Sequence, residues 1–126
     1  MFSHIVVGSN DLQKSKTFYD AIFAAMGAGP GQEMGDRVFW SHDGKNFMVT
    51  KPIDGNAATF ANGGTIGLTM TSEEMANAWH EAGVANGGTS IEDPPGERDM
   101  GFMKMYLAYL RDPDGNKLCA FMPAAS

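Results

Sequence analysis

The side chains of this 126-residue chain best equipped for chemistry are three histidines (His4, His42 and His80), one cysteine (Cys119), and Arg98 inside a stretch rich in proline and glycine. An imidazole exchanges protons near neutral pH and ligates metals through either nitrogen. That makes His4, in the short β-branched run His4 to Gly8, the acid/base candidate. A thiol acts as nucleophile or metal ligand only as its thiolate, which a neighbouring cation favours; Lys117 stands two residues before Cys119. The planar fork of Arg98 suits a carboxylate or a phosphate. His42, in a turn, and His80, on a helix, read as solvated or structural. With a single cysteine there is neither an intrachain disulfide framework nor a cysteine-rich zinc site.

Composition narrows what these groups would act on. The formal net charge is −6 and the nine basic residues are scattered, so no nucleic-acid surface is expected and anionic membranes are disfavoured. Acidity of this kind favours a cationic ligand. No run approaches the ~20 apolar residues of a membrane span, Met1 to Asn10 lacks the pattern of a secretory signal, and a cytoplasmic protein is expected. Ten methionines and an aromatic content of 10% suit an adaptable apolar lining, and the length suits one domain, residues 1–126.

The elements that must position these groups come in two matching sets. His4 to Gly8 reads as a buried strand. The spacing of Leu12, Phe18, Tyr19, Ile22, Phe23 and Met26 predicts a helix over 12–26, opened by Asn10 with Gln13 as a capping box and closed by Gly27. A glycine-rich stretch follows, then strands over 38–41 and 47–51 joined by His42, Asp43 and Gly44. The second set repeats the order. A strand runs over 65–70, and a helix opened by Thr71 with Glu74 carries Met75, Ala78, Trp79 and Ala82 before Gly83 ends it. Glu92 to Phe102 is the longest irregular stretch, a candidate lid or binding loop. Strands over 105–110 and 117–122 flank the turn Pro113-Asp114-Gly115.

A constant offset carries His4 to Thr65, Asn10 to Thr71 and Phe18 to Trp79, and a slightly larger one carries Asp43-Gly44 to Asp114-Gly115 and Met48 to Cys119. The economical reading is an internal duplication of a β-α-β-β-β unit, residues 1–55 and 65–126, joined by the connector 52–64. The fold class is therefore α+β, two tandem modules joining their mixed sheets into a curved trough. Strand alternation sends Ile5 and Val7 to the helix side and His4 and Val6 to the trough. The same parity brings Met48, Thr50, Thr65, Gly67, Thr69, Lys117, Cys119 and Phe121 inside. Tyr106 and Tyr109 have opposite parity; Tyr106 is carried as a pocket candidate although the sequence leaves open which of the two faces inward.

The segments His4-Ile5-Val6-Val7, Asn10-Asp11-Leu12, Phe18-Tyr19, Gly64-Thr65-Ile66-Gly67-Leu68 and Asp112-Pro113-Asp114-Gly115-Asn116-Lys117 together resemble the vicinal oxygen chelate superfamily. That superfamily includes glyoxalase I, extradiol dioxygenases, fosfomycin-resistance enzymes and bleomycin-resistance proteins. The resemblance implies a ligand trough and, in metal-dependent members, a divalent ion held at positions that fall here on His4, Met48, Thr65 and Cys119. Of these only His4 is an ordinary ligand, and a thioether and a threonine hydroxyl are weak donors. No cofactor is therefore expected with confidence, His4 and Cys119 being the residual pair for a divalent metal. Three functions follow: an enzyme of degenerate metal site using His4 for proton transfer, a sequestering protein of the bleomycin-resistance type, or a metal-dependent lyase or dioxygenase. The pocket is expected to comprise His4, Met48, Thr50, Thr65, Gly67, Arg98, Tyr106, Lys117, Cys119 and Phe121. The expected partners are a small molecule and a second copy of the chain in a homodimer.

Overall fold

The computed structural model describes residues 1–124. Its elements run β1 (His4–Gly8), α1 (Leu12–Ala24), β2 (Gln32–Met34), β3 (Arg37–His42), β4 (Lys45–Thr50), β5 (Ile66–Thr69), α2 (Glu73–Ala85), β6 (Thr89–Ser90), β7 (Gly96–Asp99), β8 (Lys104–Arg111) and β9 (Lys117–Pro123). One sheet has the order β1-β4-β3-β2; the other has the order β5-β9-β8-β6, with β7 also paired to β8. β1 runs parallel to β4 and β5 parallel to β9. A parallel pair needs a crossover, and in each half the helix supplies it.

Among the described residues no strand of the first sheet pairs with one of the second. This corrects the expectation of a single joined sheet: β1 and β5, the strands that would meet, are each paired on one side and end their sheets. The halves are held together elsewhere. α1 packs on α2, and the turn after β8 docks on the start of α1. The buried Tyr19 hydroxyl donates to Asp112 Oδ2 at 2.6 Å, Ser15 Oγ donates to Asp114 Oδ2 at 3.1 Å, and the Asn10 backbone N–H donates to Asp114 Oδ1 at 2.9 Å. Asp112 also accepts from the N–H groups of Asp114 and Asn116 and from Asn116 Nδ2. A buried carboxylate with this many donors is well satisfied without a cation.

Helix boundaries differ from the sequence reading by local chemistry. Asp11, not Asn10, caps α1, accepting from the N–H groups of Gln13 and Lys14; Asn10 instead bonds the connector at Ala58 through both ends of its amide. Ser72, not Thr71, caps α2. Gly83 does not end α2. It is buried within the helix where a Cβ would stand 2.4 Å from a Leu110 methyl, so its role is close helix–sheet approach. The buried stripe of α2 runs through Ala76, Trp79 and Gly83, while Ala78 is exposed.

The core lies between helices and sheets. Tyr19, Phe23, Trp40 and Phe47 pack with ring centroids 4.8–6.3 Å apart, separations at which aromatic pairs attract beyond their burial. Val38, Val49, Leu110 and Leu118 are fully buried on the same side.

Candidate functional site

Because each sheet has its helix on one face, the other face is left open, and the pairing register states what stands on it. In the first sheet the cross-strand rows on that concave face are His4, Asn46 and Ser41; then Val6, Met48 and Phe39; then Gly8, Thr50 and Arg37. Apolar side chains thus form the middle row. Val6 is 44% exposed while Val49, facing the helix, is 0% exposed. His4 is exposed, its Nδ1 2.7 Å from the Ser3 hydroxyl.

The concave face of the second sheet is more polar. Gly67, Cys119 and Tyr109 form one row, and Thr69, Phe121, Leu107 and Gly96 the next. Arg98 shares the face with Met105, and Lys117 with Arg111. The Lys117 ammonium lies 4.9 Å from the centroid of the Tyr109 ring and is ion-paired with Glu92. The Arg98 guanidinium donates to the Gly96 and Asp93 carbonyls, each at 3.0 Å. Burial raises the Cys119 thiol above its ordinary range and Glu92 adds to the rise; the neighbouring Tyr109 phenol, Lys117 and Arg98 oppose it without cancelling it. Burial, together with the Cys119 sulfur and Glu92, likewise raises Tyr109. At neutral pH both groups are protonated, so Cys119 is a thiol rather than a poised nucleophile.

A cleft of about 660 Å³ lies between the two halves. One wall is the start of β1 with the β3–β4 turn (His4, Ile5, His42, Lys45), the other β5 and the start of α2 (Leu68, Thr69, Met75), and Phe23, Trp40 and Phe47 from the aromatic core line it as well. The turn is the two-residue Asp43-Gly44, both with positive φ (50° and 75°), as a tight hairpin requires. His4 and Asn46 from the first concave face, and Gly67 and Thr69 from the second, reach the cleft as well. Gly67 has backbone angles open to any residue, and a Cβ there would meet no heavy atom within 4 Å. Its missing side chain leaves open space on the concave face beside Cys119, its partner on the next strand.

The predicted residues divide accordingly. Met48 and Thr50, and separately Gly67, Lys117, Cys119 and Phe121, stand on the concave faces as strand parity required; Thr65 is exposed one residue ahead of β5. Tyr106 does not face inward. It is buried on the helix side, where its hydroxyl donates to Asn77 Oδ1 of α2 at 2.7 Å, and Tyr109 takes the concave position. Four residues of the expected loop over 92–102 form a strand: β7 pairs with β8, and this fixes Arg98 on the concave side. Its strand partner is β8, the next strand in the chain, with Arg98 opposite Met105 across a short hairpin whose local signal is the alternation in Gly96 to Asp99. His4 and Cys119 stand on different sheets, the His4 Nδ1 beside the Ser3 hydroxyl and the Cys119 thiol donating to the Ala120 carbonyl. Tyr109 and Glu92 are the site residues the sequence reading left out; parity allowed the first, and nothing local marks the second.

The donors do not fit a resident divalent ion. Among the described residues no three of His, Cys, Asp and Glu converge as a ligand set, and the thioether of Met48 and hydroxyl of Thr65 are poor substitutes at 2.0–2.3 Å coordination distances.

A β-α-β-β-β unit (β1 to β4) and a second unit of the same order with one further strand (β5 to β9), each with its helix on one face of a mixed sheet and an open concave face on the other, define the paired-module class of α+β proteins. The chain belongs to the Glyoxalase/Bleomycin resistance protein/Dioxygenase superfamily, whose family model matches residues 1–120. It is similar to the crystal structure of a glyoxalase/bleomycin resistance protein from Albidiferax ferrireducens T118, with 53% identity and a TM-score of 0.92 over 96% of this chain and 98% of that one. The fold also matches a glyoxalase-related enzyme from Fulvimarina pelagi at 20% identity and TM-score 0.74, covering 96% of this chain and 86% of that one. It matches the fosfomycin resistance protein FosX from Mesorhizobium loti at 12% identity and TM-score 0.70, covering 98% and 92% respectively. No curated protein matches the chain. Among the described residues no helix is long and apolar enough to cross a membrane.

Proposed function

We propose that the chain binds a small, largely apolar molecule in the cleft between its two halves, with part of the ligand extending over Gly67 onto the concave face of the second sheet. The observation that carries this reading is the row Gly67-Cys119-Tyr109. It links an aromatic-lined cleft to a polar cluster through a position where a side chain would fit but none is present. Apolar walls give most of the affinity of such a site, and a few polar groups fix orientation. Here Tyr109 supplies a phenol, Lys117 and Arg98 supply cations, and His4 stands on the opposite wall as the group able to move a proton.

Holding a ligand, with or without proton transfer by His4, suits these residues better than a metal-dependent lyase or dioxygenase reaction, because of the donor types at His4, Met48, Thr65 and Cys119. The fluorescent apolar amine N-phenyl-1-naphthylamine, which is neutral at pH 7, serves as the test probe. A saturable one-to-one fluorescence rise, diminished in Gly67→Val, is the expected result; no saturable binding to the folded protein overturns the reading. Should a turnover assay later find a substrate, His4→Ala abolishes turnover if His4 moves the proton.

A homodimer in the cytoplasm is part of the same proposal. β1 and β5 each leave one edge unpaired and Val6 is exposed beside the first, and exposed edges of this kind are covered in stable proteins. Light scattering giving the mass of one 13.5 kDa chain refutes the dimer.

A further inference from the structure

The charges on the concave faces oppose the charge of the whole chain. Every charged residue that a strand presents there is a cation: Arg37 on the first sheet, and Arg98, Arg111 and Lys117 on the second. The three arginines of the chain are thus all on these faces, and among the described residues none has a carboxylate within salt-bridge distance; the ion pairs instead use lysines and one histidine. Arg98 is held by carbonyls alone and Arg111 by the Gly115 carbonyl and the Phe60 ring, 5.1 Å from its centroid. Neutral acceptors orient a guanidinium but leave its charge unmatched.

One acid reaches this cluster. Glu92, between β6 and β7, pairs with Lys117 from a backbone with φ of 59°, in the left-handed region that a non-glycine residue rarely adopts. Its carboxylate is half-exposed, so a competing anion can reach Lys117 from solvent.

Resting on the small-molecule reading above, we infer that the ligand is an organic anion whose acidic group is taken by Arg98 and Lys117 beside Tyr109, displacing Glu92, which holds that place in the free protein. The cationic ligand suggested by overall acidity is thereby reversed: a net charge of −6 spread over the chain acts weakly at a distance, while the cations in the site act within contact range. The protonated Tyr109 phenol adds a hydrogen-bond donor, so the cluster is rich in donors and suits a ligand group made of acceptor oxygens.

Carboxylates and phosphonates share this chemistry, and a set of compounds on one ring system separates them. Calorimetry at pH 7 compares 1-naphthoate, 1-naphthylphosphonate, neutral 1-naphthamide and cationic 1-naphthylmethylammonium. At least one anion binds about tenfold tighter than the amide, the cation binds weaker than the amide, and the anion preference shrinks in high salt. The tighter of the two anions assigns the acidic group. Arg98→Gln and Lys117→Gln each weaken anion binding several-fold more than they weaken amide binding, whereas Glu92→Gln strengthens anion binding. An amide equal to both anions, or anion binding indifferent to both cation variants, overturns the inference while small-molecule binding stands. Weaker anion binding in Glu92→Gln overturns the displacement. If neither the neutral amine of the preceding test nor any naphthalene compound binds, both readings fall.

Discussion

Filling the gap at Gly67 separates a residue needed for the fold from one needed for space. Glycine within a strand costs about 0.5–1 kcal/mol relative to alanine, largely through the entropy of the unfolded chain. That cost is recoverable here, because the backbone of Gly67 is in a region open to any residue and a new Cβ meets nothing within 4 Å. A β-branched side chain suits a strand better still. Gly67→Val is therefore expected to stabilise the chain by about 1 kcal/mol, raising the thermal midpoint by about 4 °C for a domain of this size. The same three carbon atoms would stand on the concave face beside Cys119, in the path assigned to the ligand. Overlap of that kind costs about 1–3 kcal/mol, so binding of N-phenyl-1-naphthylamine should weaken by roughly tenfold. Thermal unfolding followed by circular dichroism and a fluorescence titration read the two effects independently. A more stable protein with unchanged affinity refutes the path over Gly67, and a less stable protein refutes the claim that the position is free of structural duty.

Three further outcomes test the framework. Tyr19→Phe removes a buried hydrogen bond to the Asp112 carboxylate and should cost about 2 kcal/mol in urea unfolding, a loss below 0.5 kcal/mol counting against the interlock of the halves. Burial, with Asp112 beside it, raises Tyr19 well above the ordinary tyrosine range; its folded form stays protonated where the unfolded chain ionises. That stability is present below about pH 10 and is lost as pH rises toward the folded value, a dependence Tyr19→Phe should flatten in pH-resolved denaturation. Gly83→Ala gains about 1 kcal/mol of helix propensity but drives a Cβ into Leu110, Ile22 and Phe18, so a net loss of about 1 kcal/mol is expected and a stabilised variant would show that the helix–sheet approach tolerates a methyl.

The two modules, the helices under Phe18, Tyr19, Ile22 and Trp79, and the alternation that separates His4 from Ile5 and Cys119 from Leu118 are all local periodicities. A sequence carries such patterns because residue i and its near neighbours share an element. Capping was less legible: Asp11 and Asn10, or Ser72 and Thr71, offer equivalent oxygens, and only the turn of chain into helix decided between them. Gly83 misled the reading for a related reason, since a glycine that stops a helix and one that admits a neighbouring strand look alike until Leu110 is beside it.

What the sequence determined by itself was the duplicated α+β plan and the concave set of Met48, Thr50, Gly67, Lys117, Cys119 and Phe121. Tertiary structure alone decided that the two sheets remain separate, that Tyr109 rather than Tyr106 faces inward, that Arg98 sits on a strand beside Met105, and that Glu92 reaches Lys117. Each of these depends on how separate elements meet, in a register fixed by packing of the whole core rather than by the pattern of any one segment.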